Sequence, residues 1–287
     1  MKRIVILMLC MAMLCLVGCE ASDNASSTSE VTPSSTLEIP EVASEGLVYE
    51  INAEGTACVI TGIGDCEDTF IVIPDSIEDC PVTEIAASAF YCQEDLRGIR
   101  LGANVTKVGD YALFGCTALE MVLLNDGLEQ LGSYVFSGCG KIAEITIPDS
   151  IMKIGAWAFF ECLSLKAVNI SDLNNWYTLQ FDGIYANPLM LAGTLYVDGE
   201  VLTELMIPED LTQIGEWSFA GCKSLTTVRI HENVTVIGQR AFLDCESLTT
   251  IVYDGTAEQW KQIVLGTYWD FSVEELMIEC QDKEIKG

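Results

Sequence analysis

A period of 23 residues runs through most of this chain and constrains its fold more than any other feature. One column of the repeat holds large apolar side chains at this interval, with one wider gap between the fourth and fifth members, at Phe90, Leu113, Phe136, Phe159, Phe219 and Phe242. Two further columns, which begin at Ile85 and Leu96, keep the same phase across the gap. Units that stay in phase over three columns are a true repeat, and repeats of this length predict a stacked array.

Each unit is too short to fold alone. A unit of 23 residues cannot bury its own apolar face, so neighbouring units must stack and share one core. Within each unit the segment L-x-x-I-x-I alternates with a period of two, which predicts a short strand with its isoleucines facing inward. Successive strands would lie ~4.8 Å apart in a parallel sheet. A recurring glycine, such as Gly132 or Gly155, predicts a positive φ or a close backbone approach. The predicted fold class is therefore a β-rich solenoid with one parallel strand per turn.

Departures from the repeat divide the solenoid, which is predicted to span residues 47–280. Its predicted parts are an N-terminal cap at 47–84, a longer inserted turn at 171–207, a C-terminal cap at 255–280 and, beyond it, a tail at 281–287. The caps are expected because a stack needs closed ends. Turn-forming residues predict two hairpins, one around Asn52–Gly55 in the first cap and one at Val197–Glu200 in the inserted turn.

Residues 1–18 are predicted to be a secretory signal peptide. Lys2 and Arg3 precede an apolar run that ends at Val17 and is too short for a membrane span, which takes roughly 20 apolar residues. Leu16-Val17-Gly18-Cys19 resembles a bacterial lipobox, in which the cysteine is lipidated and becomes the mature N-terminus. The alternative is an ordinary signal peptide with a chance cysteine. Residues 19–46 are rich in serine and threonine and predict a disordered tether. We therefore expect an exported protein at the bacterial cell surface, anchored to the membrane by lipid on Cys19.

The charge of the chain excludes two classes of partner. It has 14 Lys and Arg against 43 Asp and Glu, a formal net charge of −29. Nucleic acids and anionic membranes would both repel such a surface. We therefore expect no binding of nucleic acid, and contact with the membrane only through the N-terminal lipid.

The sequence predicts neither an enzyme nor a cofactor. The single histidine, His231, follows a strand and is expected to be an exposed turn residue. One histidine cannot build a multi-histidine metal site, and neither a C-x-x-C motif nor a D-x-D-x-D type loop is present, so no metal site is predicted. Paired carboxylates of the kind that hydrolyse glycosides stay open among so many acids, although none lies in a motif.

Five cysteines share one repeat column, at Cys116, Cys139, Cys162, Cys222 and Cys245. Stacked neighbours satisfy the Cα distance for a disulfide, but parallel Cβ vectors hold the sulfur atoms poorly for bonding. We expect a reduced, buried column, since free cysteine is among the most buried residue types. The cysteines outside the column leave disulfides open, for example between Cys66 and Cys80, because spacing alone does not give pairing.

The repeat resembles the BspA-like subclass of leucine-rich repeat proteins over roughly residues 47–280. The resemblance is carried by the A-F-x-x-C-x-x-L-x-x-I units, the IPDSI-type strand exits, the NPL segment of the insertion and the GTAEQW segment near the C-terminus. It implies a right-handed leucine-rich repeat solenoid whose sheet lines the concave face, as found in bacterial surface proteins. It also implies adhesion to host proteins or to other cells. Cys92 departs from the pattern, since it lies one place before the cysteine column.

If the strand isoleucines point inward, the residues between them form two outward columns. We predict that these columns bind an extracellular protein or a glycan, because the sheet of a solenoid is its usual binding surface. The candidate residues are Arg100, Met121, Leu123, Glu144, Thr146, Asn169, Glu204, Met206, Thr227, Arg229, Thr250 and Val252. The alternative is a structural envelope or spacer lipoprotein without a specific ligand, since scattered apolar surface residues need no explanation.

Overall fold

Two kinds of short strand alternate along residues 39–273 and 275–286, the part of the chain that the computed structural model describes. The predicted signal peptide, Cys19 and most of the predicted tether lie outside the described residues. Among the described residues, no helix has the length and apolar character needed to cross a membrane.

The strands are numbered in chain order. Ten strands of three or four residues form the parallel part of the long-strand sheet: β3 (Phe70–Val72), β6 (Gly98–Arg100), β8 (Met121–Leu123), β10 (Glu144–Thr146), β12 (Ala167–Ile170), β14 (Leu195–Val197), β16 (Glu204–Met206), β18 (Thr227–Ile230), β20 (Thr250–Tyr253) and β22 (Met277–Glu279). The lateral sheet contains β5 (Cys80–Ile85), β7 (Lys107–Val108), β9 (Gln130–Leu131), β11 (Lys153–Ile154), β13 (Gln180–Phe181), β17 (Gln213–Ile214), β19 (Val236–Ile237) and β21 (Val264–Leu265). The remaining strands are β1 (Val48–Ile51), β2 (Cys58–Gly62), β4 (Ser76–Ile77), β15 (Glu200–Val201) and β23 (Glu284–Lys286). The helical segments are a 3₁₀ turn (Trp176–Thr178), α1 (Leu189–Ala192) and α2 (Ala257–Trp260).

Parallel pairing joins each turn to the next at matching repeat positions. Ile99 pairs with Val122 in the long-strand sheet, and Val108 pairs with Leu131 in the lateral sheet. The long-strand sheet runs in three segments, β3-β6-β8, β10-β12-β14-β15 and β16-β18-β20-β22-β23. The lateral sheet runs from β5 to β13 and resumes from β17 to β21. The predicted solenoid of repeating units is confirmed, and most turns carry in addition a second strand, two residues long from β7 onward, that the sequence pattern did not predict.

The core follows the repeat columns. The phenylalanine side chains at positions 90, 136, 159, 219 and 242 have no exposed surface, and the rings of Phe136 and Phe159 lie 5.6 Å apart. In β8 the middle residue Val122 is buried while both of its neighbours are half-buried, as the predicted alternation requires. Full burial of such a side chain stabilises the fold by about 1.5–3 kcal/mol. Because every turn contributes the same positions, one continuous core runs through the stack.

The wide gap between Phe159 and Phe219 contains a complete turn and a hairpin. Ile154 pairs with Phe181, and Val168 pairs with Leu195. The turn of the solenoid between these pairs, which we call the long turn, therefore contains more residues than the repeat in both sheets. After it, β14 and β15 pair antiparallel with Val197 opposite Glu200. The two central residues, Asp198 and Gly199, both have positive φ, of 48° and 80°. This is the geometry of a type I′ turn, and the hairpin predicted at Val197–Glu200 is confirmed.

Antiparallel strands close both ends of the stack. At the N-terminal end, β1 pairs with β2 so that Ile51 lies opposite Cys58, which confirms the hairpin predicted around Asn52–Gly55. At the C-terminal end, β23 folds back on β22 with Met277 opposite Lys286. The C-terminal cap therefore extends past residue 280 into the segment that the sequence placed in a tail, because β23 pairs with β22 at the C-terminal edge of the long-strand sheet.

Candidate binding face

All twelve candidate residues lie in strands of the long-strand sheet, and none is fully buried. The alternating residues, such as Ile145 and Leu205, are buried in the core instead. Strand pairing sets Arg100 beside Leu123, Thr146 beside Asn169, Glu204 beside Thr227 and then Thr250, and Met206 beside Arg229 and then Val252. The structure therefore arranges them as the two outward columns expected from the sequence. We call this surface the long-strand face.

The long-strand face is interrupted in two places, because the sheet runs in three segments. The hairpin β14–β15 lies between Asn169 and Glu204 along the chain. It adds a residue that the sequence columns missed, since Tyr196 pairs beside Asn169 and is half-buried. The long turn shifts Tyr196 out of the phase of the repeat. The alternation in Leu195-Tyr196-Val197 before Asp198-Gly199 was the signal that could have found it.

A cleft of about 600 Å³ adjoins the first segment of this face. Arg100 and Leu123 line it, and the Arg100 guanidinium donates to the carbonyl of Glu41 at 3.3 Å. Asn125, also in its wall, donates from Nδ2 to the carbonyl of Val105 at 2.9 Å. Its Oδ1 is buried and has no hydrogen-bond partner among the described residues. The cleft therefore joins a cation, an apolar side chain and an unused acceptor at the end of the face.

The second half of the face carries its most exposed apolar side chain. Met206 has 68 % of its surface exposed. Its carbonyl accepts a hydrogen bond of 2.8 Å from the hydroxyl of Tyr177, which lies in the inserted turn. Burial raises the pKa of Tyr177 to about 12, so that this hydroxyl stays protonated and keeps donating. This hydrogen bond from Tyr177 fixes the backbone of β16, while the Met206 side chain faces outward.

His231 is buried, and the expectation that it would be an exposed turn residue was wrong. Only 7 % of its surface is accessible. Its Nε2 lies against the carbonyl of Pro208, which can only accept, while Nδ1 accepts from the amide of Asn233 at 3.2 Å. These contacts fit a neutral ring protonated on Nε2. Because Nε2 contacts the preceding turn of the solenoid and Nδ1 contacts the backbone two residues along, this histidine is structural.

The cysteine column is reduced and buried in the structure, as expected. The thiols of Cys116, Cys139, Cys162 and Cys245 each lie 3.1–3.2 Å from the backbone carbonyl of a residue in an adjacent turn. Burial raises the pKa of Cys162 to about 12, which suppresses its thiolate form. Outside the column, Cys66 and Cys80 are also free thiols, and Cys80 donates to the carbonyl of Gly55. Among the described residues, no three His, Cys, Asp or Glu side chains lie close enough together to hold a metal ion.

A column of stacked side chains lies in the backbone turns just before the buried phenylalanine positions, and the sequence did not predict it. Seven of its members have positive φ: Ser88, Tyr111, Tyr134, Trp157, Trp217, Arg240 and Tyr268. The rings of Tyr111 and Tyr134 lie 4.9 Å apart and nearly parallel, and the guanidinium of Arg240 lies 4.9 Å and 5.2 Å from the rings of Trp217 and Tyr268. Such a backbone conformation costs roughly 1–2 kcal/mol per residue, and ring stacking offsets part of it. We interpret this column as structural.

The family described as the BspA type leucine-rich repeat region matches this chain in six copies, over residues 65–185 and 196–280. The chain belongs to the BspA-type leucine-rich repeat family. Among solved structures, this BspA-type chain is similar to a leucine-rich repeat protein of T. pallidum, with 22% identity, 83% of this chain and 91% of that chain covered and a TM-score of 0.47. It is similar to a leucine-rich repeat protein of Bacteroides capillosus, with 28% identity, 45% and 96% covered and a TM-score of 0.41. It is also similar to a leucine-rich cell surface protein of Faecalibacterium prausnitzii, with 16% identity, 78% and 98% covered and a TM-score of 0.35. No curated protein matches this BspA-type chain.

Proposed function

We propose that this BspA-type protein is a non-catalytic, lipid-anchored protein of the bacterial cell surface, which binds an extracellular protein or a glycan through the long-strand face. The observation that carries the proposal is the group formed by Met121, Leu123 and Arg100. These three side chains are partly exposed and lie on neighbouring strands, and Arg100 and Leu123 border the cleft of about 600 Å³. Apolar side chains beside a charge that can pair with a partner are typical of protein interfaces.

The surroundings of this group favour a partner that offers both apolar and polar groups. The partly exposed guanidinium of Arg100 can donate to a carboxylate or a hydroxyl, and Leu123 beside it offers an apolar contact. The exposed Glu144, Glu204 and Arg229 extend the face with charges of both signs. A glycan or a polar protein surface meets these requirements, whereas an acidic polymer would be repelled by the rest of the molecule.

The lipid anchor rests on the lipobox-like Leu16-Val17-Gly18-Cys19, which lies outside the described residues. The predicted tether, residues 19–46, would separate the lipid from the solenoid, whose first strand begins at Val48. A spacer of that length would hold the long-strand face away from the membrane surface. Two acyl groups on the terminal cysteine would give a stable anchor.

The test of the binding face replaces Met121 and Leu123 together with aspartate. The wild-type chain and the variant are titrated against immobilised extracellular-matrix proteins, cell-wall glycans and whole cells. We expect the wild type to bind at least one of these saturably. The double variant should bind at least about tenfold more weakly, because the loss of an apolar contact at the centre of an interface costs about 1.4 kcal/mol or more. The melting temperature should stay unchanged, since both side chains face outward.

The matched control is Leu163→Asp, which introduces the same change at a side chain that is 79 % exposed and outside the long-strand sheet. It should leave binding unaltered. Equal binding by the double variant and the wild type would contradict the proposed face. If the wild type binds none of the probes saturably, the protein is better described as a structural spacer.

A further inference from the structure

The lateral sheet has one break, between β13 and β17. Every other neighbouring pair in this sheet, from β5 to β13 and from β17 to β21, is joined in parallel. A second cleft, of about 590 Å³, lies at the break. Residues 177–183 line one wall, and Leu211, Gln213 and 215–217 line the other. Two strand edges therefore border the same open space.

The backbone hydrogen bonds of the repeat are missing at this break. In the other turns, the column glycine donates its amide to the carbonyl of the preceding lateral strand, as Gly132 does to Val108 at 2.8 Å and Gly238 does to Ile214 at 2.9 Å. By the same rule Gly215 should donate to Phe181. Among the described residues, however, the Gly215 amide has no acceptor and the Phe181 carbonyl has no donor. One donor and one acceptor are thus left for another backbone.

Gly215 also lacks the close neighbour that explains the other column glycines. A Cβ atom placed on Gly132, Gly155 or Gly238 would lie 2.4–2.6 Å from a backbone nitrogen of the preceding turn, so only glycine fits there. At Gly215 the nearest atoms would be Ser218 Oγ at 2.9 Å and the Tyr177 carbonyl oxygen at 3.5 Å. In the isolated chain a side chain at Gly215 would therefore displace only the Ser218 hydroxyl, which donates to the Gly215 carbonyl at 2.6 Å, whereas a strand inserted at the break would require glycine.

The charges of the cleft indicate what such a strand would carry. Asp182 and Glu216 line opposite walls. In the lateral sheet a lysine in one strand pairs with an acid of an adjacent turn: Lys107 lies 2.7 Å from Glu84, and Lys153 lies 2.7 Å from Asp182 itself. Glu216 has no such partner among the described residues, so a strand placed beside it should by the same rule contain a lysine or an arginine.

We propose that the cleft between β13 and β17 binds an extended peptide segment of a partner protein, which contains a basic residue and adds to the lateral sheet as a parallel strand. One amide of the peptide would donate to the Phe181 carbonyl. The preceding carbonyl of the peptide would accept from the Gly215 amide, as in the ladder of the other turns. Main-chain hydrogen bonds supply affinity in this mode of recognition, and side chains supply specificity. This site is separate from the long-strand face and does not depend on it.

The test uses a fluorescein-labelled peptide that copies residues 149–157 of this chain, which contain β11 and Lys153 and therefore have the backbone and charge that the cleft should accept. Fluorescence anisotropy is measured with the purified full chain. The control peptide carries sarcosine in place of its glycine, so that the amide that would bond Phe181 is absent. We expect saturable binding of the first peptide and about tenfold weaker binding of the second, as expected for one lost hydrogen bond and a steric conflict.

Gly215→Ala is the decisive variant, because its methyl group would obstruct the incoming strand, while in the free fold only the Ser218 hydroxyl has to shift. It should weaken peptide binding about tenfold or more. Gly140→Ala is the matched control, since its Cβ would meet only the Glu161 carbonyl oxygen at 3.8 Å and it lies in neither sheet. Hydrogen exchange gives a second measurement, in which peptide binding should slow exchange of the Gly215 amide about tenfold. The absence of saturable binding, or equal binding by Gly215→Ala and the wild type, would overturn the proposal.

Discussion

Single polar side chains replace the backbone ladder where the repeat is interrupted. Asn187, in the NPL segment of the inserted turn, is fully buried. Its Nδ2 donates to the carbonyls of Trp217 at 2.7 Å and Ser218 at 3.2 Å, and its Oδ1 accepts from the amide of Leu189 at 2.9 Å. His231 bridges two turns in the same way. A residue of this kind is required for the fold because it satisfies buried backbone groups that no neighbouring strand reaches.

Replacement of Asn187 by leucine should lower the free energy of unfolding by about 2–4 kcal/mol, because the Leu189 amide would lose its partner and the Trp217 carbonyl would keep only the Ala220 amide. The comparison is made by urea denaturation followed by circular dichroism. Asn174→Leu, at an exposed position of the same insertion, should change the free energy of unfolding by less than about 0.5 kcal/mol. A loss below about 1 kcal/mol for Asn187→Leu would show that water replaces these bonds.

The short strands of the lateral sheet are defined by their glycines as much as by their apolar residues. Gly155 packs so closely on the preceding turn that an added Cβ would lie 2.4 Å from the Ser133 nitrogen. This spacing lets the Gly155 amide reach the Leu131 carbonyl at 2.8 Å. Each strand of the lateral sheet therefore depends on contact between turns, because its local sequence is too short to specify a strand alone.

The same substitution should have different consequences at two glycines of this column. We expect Gly155→Ala to lower the free energy of unfolding by about 1–3 kcal/mol, because the methyl group would force the turns apart. Gly215→Ala should lower it by about 0.5–1.5 kcal/mol, since the methyl group displaces only the buried Ser218 hydroxyl from its hydrogen bond to the Gly215 carbonyl. Urea denaturation of both variants measures the difference. Equal losses would mean that the turns at Gly215 are as closely packed as elsewhere.

At the scale of the whole molecule, the apolar stack stabilises the fold and the charge determines what approaches it. The ion pairs, such as Lys153 with Asp182, involve partly exposed side chains and contribute little. Removal of residues 1–18 takes away Lys2 and Arg3 and no acid, so the excess of acidic over basic side chains grows. Such a surface is repelled by anionic lipids, so the proposed membrane attachment would have to come from the acyl chains alone.

If Cys19 is the lipid attachment site, Cys19→Ala should move the protein from the membrane fraction to the soluble fraction or the medium. A wash of the wild-type membranes with about 1 M salt, which screens charge contacts beyond a few ångströms, should release none of it. Immunoblots of the fractions measure both results. Retention of Cys19→Ala in the membrane fraction, or release of the wild type by salt, would contradict the lipid anchor.

The candidate face could be predicted because strand alternation and the period of the repeat are local properties. Met121, Leu123 and their counterparts lie outward for the same reason in every regular turn. Tyr196 was missed because the long turn removes it from phase, and the burial of His231 was missed because it depends on Pro208 in the neighbouring turn. The column of stacked rings was missed because its positive φ values are conformations that sequence patterns do not predict for aromatic residues.

The sequence by itself determined the solenoid, its inward columns, its hairpins and the acidic character of its surface, because these follow from periodicity, turn chemistry and composition. Only the tertiary structure decided where neighbouring turns meet closely and where they separate. The break between β13 and β17, the free amide of Gly215 and the bridge at Asn187 all arise where one turn no longer follows the repeat. Contacts between turns depend on the path of the whole backbone, and a residue's place in the repeat does not reveal them.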